Sequence, residues 1–196
     1  MFNFFGKKHI KRRQQLAMQR PMTSLLERDI LAISDELEYD YQNWVAAYVD
    51  RQHKASFDGG VTTAYRAISI SDGALFWLVT HVEKKFAYHS EKLDPLDAVR
   101  DAERAWIDRK AVRRQWHKVE EQARDLLMGR VKLKVTVDDA MRSPLCGMGI
   151  REFMRRNYMQ NVSQMSGRFA AILMKIDPQV GFAINQAFLR HRAETS

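Results

Sequence analysis

Residues 64–82 read AYRAISISDGALFWLVTHV, and whether this stretch folds back on itself or winds into a helix decides the fold. Ile68-Ser69-Ile70-Ser71 alternates apolar and polar, Asp72-Gly73 is a favoured two-residue hairpin turn, and Ala74 to Val82 is rich in β-formers. Together these features predict a hairpin. The competing template is helical, because Tyr65, Ile68, Leu75, Val79, Val82, Phe86 and His89 also keep helical spacing.

On the N-terminal side, Ser24 with Glu27 three residues on forms a capping box just after Pro21. From there Leu26, Ile30, Ile33, Leu37, Tyr41, Trp44 and Tyr48 recur every three or four residues. This spacing predicts a long amphipathic helix that ends before Gly59-Gly60, where continued helix is costly. On the C-terminal side, Asp94-Pro95 reads as an N-cap followed by a first-turn proline. The helix it opens runs through Val99, Ala102, Trp106, Val112, Trp116, Val119, Ala123 and Leu126 towards Gly129. Val131, Leu133, Val135 and Val137 then alternate with polar residues as a half-buried strand that could join the hairpin. After a loop at 144–149, a helix from Ile150 is expected to carry Phe153, Met154, Val162, Met165, Phe169 and Ile172 inward. A last helix opens at Asp177-Pro178 and runs through Phe182, Ala183, Phe188 and Leu189. No internal repeat is evident.

The fold class expected from this pattern is α+β and predominantly helical, with long helices packed against a small antiparallel sheet made of the hairpin plus one strand. The alternative is all-α. Residues 1–22 read as a basic tail and 23–193 as one globular domain, with a C-terminal helical subdomain from about 139 as a further division.

The 196 residues can bury a full core without metals or disulfides, and the single cysteine, Cys146, forms no intramolecular disulfide. A reducing, cytoplasmic setting is expected. No apolar run reaches the roughly 20 residues that span a bilayer. Phe2, Phe4 and Phe5 precede the basic residues, the reverse of a secretory signal, and a transit peptide would need more serine.

The net charge of +8 is unevenly spread. Residues 1–20 hold six Lys/Arg and no acid, 21–128 sum to −4, and 129–196 sum to +6. Two basic ends thus flank an acidic middle. Lys7, Lys8, Lys11, Arg12 and Arg13 can neutralise phosphates, or, with the phenylalanines, sit at an anionic membrane surface. Arg151, Arg155 and Arg156 form a second basic group on a predicted helix beside Phe153 and Tyr158. Glu36 and Asp40 lie on the acidic face expected of the long N-terminal helix, where a protein partner could dock.

Catalytic chemistry finds little support. Cys146 precedes a predicted helix whose dipole can activate a thiol, but no histidine base is visible in sequence and an inert cysteine is the preferred reading. His81, Glu83 and His89, or His117 with Glu120, lack the spacing of known metal motifs. No cofactor is implied. Six methionines between Met141 and Met174 read as core filling before they read as a binding surface. The expected function is that of a non-enzymatic adaptor or regulator whose basic ends engage a polyanion, nucleic acid ahead of membrane. The rival is a protein-interaction factor in a larger assembly; a third reading is a peripheral membrane protein, and self-association stays open.

Overall fold

The computed structural model describes residues 37–42 and 44–195. The chain divides into two compact units, Met1–Glu103 and Arg104–Ser196.

In the first unit, five strands form one antiparallel, curled sheet in sequential order: β1 (Glu38–Gln42), β2 (Val45–Phe57), β3 (Thr62–Ser69), β4 (Leu75–His81) and β5 (Tyr88–Ser90). Residues 64–82 are indeed a hairpin, paired from Thr62↔His81 to Ile68↔Leu75. The turn is wider than Asp72-Gly73 alone. Ser69 donates its N–H to the Ala74 carbonyl at 2.8 Å, leaving Ile70–Gly73 as the loop, with Gly73 at φ +72°. The Asp72 carboxylate accepts from the Ala74 N–H at 3.0 Å and holds the turn. Phe76, Trp77, Leu78 and Val79 are buried in succession, so both faces of β4 are covered. That continuous apolar run is what let a helical template fit.

The expected fold class is overturned. Among the described residues helix takes 49% and strand 27%, and the sheet has five strands rather than a hairpin plus one. The difference lies chiefly in the segment read as a long helix: its described part, from Glu38 to Phe57, forms β1 and β2. Glu38-Tyr39-Asp40-Tyr41-Gln42 alternates polar and aromatic, and β2 pairs with β1 on one side and β3 on the other, which buries Val45 and Ala47–Asp50, so sheet pairing won over the 3.6 period. The predicted capping box at Ser24 lies outside the described residues.

β2 carries a bulge. Asp50 pairs with Arg66 and Lys54 with Tyr65, leaving residues 51–53 without opposite numbers on β3. The buried Asp50 carboxylate organises it, accepting the N–H groups of Gln52 (3.0 Å) and His53 (3.3 Å) and lying 2.6 Å from His53 Nδ1.

The long middle helix is two helices, α1 (Pro95–Arg114) and α2 (Trp116–Leu127), broken at Gln115. Asp94 caps α1 by accepting the N–H groups of Leu96 and Asp97, as its sequence implies. The boundary between the units falls within α1, after Glu103.

In the second unit, the strand expected over 131–137 shortens to β6 (Lys134–Thr136). It pairs with β7 (Gln164–Ser166) in its own two-stranded sheet, so it does not extend the hairpin. The helix predicted from Ile150 is interrupted for the same reason. It becomes α4 (Gly147–Arg156) and α5 (Gly167–Ile176), with β7 between them, while α3 (Val137–Arg142) and α6 (Val180–Thr195) complete the set. Phe169 and Ile172, expected inward, are exposed. Each short strand ends in a hydroxyl residue that caps the next helix. Thr136 accepts from the Asp139 N–H in a full capping box, and Ser166 accepts from the Phe169 N–H. Strand, cap and helix therefore occur twice, a structural repeat without sequence likeness. The core draws Ala123 and Leu126 from α2, Val135 from β6, Ala170 and Ala171 from α5, and Ala183, Ile184, Ala187 and Phe188 from α6.

Candidate polyanion-binding site

The sequence RKAVRRQWHK, residues 109–118, places five Lys/Arg, one histidine, one tryptophan and no acid at the α1–α2 break. Arg109 is drawn into structure, donating Nε to the Pro144 carbonyl at 2.6 Å. Lys110, Arg113, Arg114 and Lys118 are exposed, and none of the four makes an ion pair among the described residues. Arg113 and Arg114 occupy the last turn of α1, where the negative end of the helix dipole favours cations. The break at Gln115 then turns the chain so that Trp116 starts α2 beside them.

Trp116 lies against α6. A Cβ at Gly181 would stand 2.8 Å from Trp116 Cη2, so glycine is what lets the indole approach the helix backbone. The Trp116 and Phe182 rings are 5.3 Å apart and tilted by 60°. With Arg113, Pro178 and Gln179 they line a groove of about 360 Å³. Its floor is aromatic, and its polar groups are one guanidinium and one carboxamide. Asp177 sits at the same end of α6 and accepts the Gln179 N–H at 2.8 Å, an acidic neighbour that offsets part of the positive charge.

The residues singled out from sequence fall differently. Lys7, Lys8, Lys11, Arg12, Arg13 and Glu36 lie outside the described residues. Asp40 belongs to β1 rather than a helix, with Oδ2 3.6 Å from Arg51 Nη2. Arg51 also binds Glu38 at 2.9 Å, so this acidic edge carries its own cation. Arg151, Arg155 and Arg156 do share α4, but the buried Glu152 accepts two bonds from Arg155 Nε and one from Nη2 at 2.6 Å. Arg156 Nε is 4.0 Å from the same carboxylate. The α4 cluster is therefore partly neutralised from within.

Cys146 is buried and caps α4, its Sγ accepting the Gly149 N–H at 3.3 Å. Among the described residues no three His, Cys, Asp or Glu side chains gather as a metal site. The connections into β6 and β7, residues 128–133 and 157–163, contain no carboxylate. Neither connection therefore supplies a carboxylate ligand for calcium. Of the methionines, Met148 and Met159 are buried and Met165 and Met174 pack on the core, while Met141 is exposed. Among the described residues no helix is long and apolar enough to cross a membrane.

The basic run 109–118 is hidden in segment charges because it lies within residues 21–128, which sum to −4. A ten-residue window would have found it. No family model, no curated protein and no solved structure matches this chain.

Proposed function

We propose that this protein binds a polyanion, nucleic acid in the first instance, through the basic surface of its second unit. The observation that carries this reading is the acid-free stretch 109–118, whose Lys110, Arg113, Arg114 and Lys118 stand exposed and without ion pairs among the described residues. The charge of the whole unit supports it: residues 104–196 hold eighteen Lys/Arg against nine Asp/Glu, a net +9, whereas 37–103 hold seven against eleven, a net −4. The excess positive charge of the second unit draws in an approaching phosphate chain. Lys7 to Arg13 and the α4 arginines add to the same electrostatic term, and the chain acts as a cytoplasmic adaptor, not an enzyme.

Fluorescence anisotropy with labelled oligonucleotides at two salt concentrations tests this. Binding that weakens steeply with salt, and weakens further in the K110Q/R113Q/R114Q variant, supports it; salt-independent binding or none overturns it. A protein-interaction role is the second reading, favoured by the exposed apolar stripe of Phe169, Ile172 and Ile176 on α5. Association through that stripe would be insensitive to salt.

A further inference from the structure

We infer that the groove at the α1–α2 break accepts one unstacked nucleobase, so that the protein prefers single-stranded nucleic acid to duplex. This rests on the polyanion reading above. Duplex DNA offers outward phosphates but keeps its bases stacked, so a purely electrostatic surface gains nothing from an aromatic groove. A single strand offers both groups, and sequence-tolerant binders of single strands combine basic tracks with aromatic platforms. Here the two lie together: Arg113 lines the same groove as the Trp116 and Phe182 rings.

The groove's chemistry fits a base better than a bare anion. Three of the five lining side chains, Trp116, Pro178 and Phe182, are apolar. A phosphate placed among them would lose hydration for a single guanidinium, with Asp177 close by. A planar heterocycle instead buries its face on the indole and meets the Gln179 carboxamide, which can donate and accept. Its 5′ or 3′ phosphate then stays at the rim with Arg113. The volume of about 360 Å³ lies at the small end of ligand pockets and is large enough for a base. Gly181 sets the indole in place.

The test compares the full chain's affinity for a labelled oligothymidylate and for an abasic strand of equal length and charge. Tighter binding of oligothymidylate, on the order of tenfold, is expected. The Trp116→Leu variant should lose that difference, and Trp116→Phe, which keeps an aromatic face, should retain most of it. Equal affinity for the two strands overturns the base pocket while leaving the polyanion reading intact. A preference that survives Trp116→Leu places the base elsewhere and also overturns it. Binding to neither strand removes both proposals and leaves the groove to an apolar side chain of a protein partner.

Discussion

Asp139 and Arg190, fifty-one positions apart, meet as a two-pronged ion pair: Nε donates to Oδ1 at 2.9 Å and Nη2 to Oδ2 at 3.1 Å. The same carboxylate closes the capping box of α3 through the Thr136 N–H and hydroxyl, both at 2.9 Å, and Arg190 also binds the Lys134 carbonyl. One contact thus ties α3 and β6 to α6. Removing the guanidinium leaves a buried carboxylate short of its partner, so Arg190→Gln should lower unfolding free energy by about 2–4 kcal/mol in urea denaturation.

That pair also sets an acid limit. Burial alone would push the Asp139 carboxyl up, but Arg190 and Thr136 outweigh it and hold the group below its usual range. A carboxylate depressed in the folded state stabilises above its unfolded value and loses that contribution as pH falls through the folded value. Stability should therefore drop as pH falls below about 4, and the drop should be shallower in Asp139→Asn. Thermal melts across pH 2–7 would check this, that range being about the reach of carboxylate titration.

Gly181→Ala gives a prediction whose sign is informative. Helix propensity favours alanine by up to about 1 kcal/mol, whereas the added methyl would meet the rigid edge of Trp116 at 2.8 Å. Overpacking costs about 1–3 kcal/mol, so net destabilisation near 1 kcal/mol is expected. A stabilised variant would show that the indole shifts without penalty.

The salt dependence of oligonucleotide binding should register Lys110, Arg113 and Arg114 directly. For single strands the log–log slope changes by about 0.7 for each phosphate neutralised, so K110Q/R113Q/R114Q should flatten it by about 2. An unchanged slope would assign the phosphate contacts to other residues.

Asp50→Asn tests the β2 bulge. The amide oxygen can keep the two N–H groups that share Oδ1, but the charged acceptor facing His53 Nδ1 is lost, so a loss of about 1–2 kcal/mol is expected from chemical denaturation.

Residues with a private local cause were legible in the sequence. Asp94 acts through neighbours two and three positions away and caps its helix where its spacing implied, whereas the turn at Asp72-Gly73 widens to Ile70–Gly73 and the helix expected from Asp177-Pro178 starts only at Val180. What failed was decided by distant partners. Tyr41, Trp44 and Tyr48 satisfy a helical spacing, yet the pairing of Tyr41 with Ala46 and of Tyr39 with Tyr48 puts Tyr41 and Tyr48 in adjacent strands and Trp44 in the turn between them. β6 and β7 are three residues each and stable only against each other, so neither carries a periodic signal long enough to read. The groove was half visible: the basic run and Trp116 are local, but Phe182 and Gly181 arrive from sixty-five or more positions away.

The β6–β7 ladder joins Lys134 to Ser166 and Thr136 to Gln164 across the loop that precedes Cys146. Each half of the second unit therefore contributes one strand that, among the described residues, pairs with the strand of the other half. A chain severed between Ser143 and Cys146 would yield two pieces that recognise one another by register, and the unit should reassemble without its covalent link as a split protein.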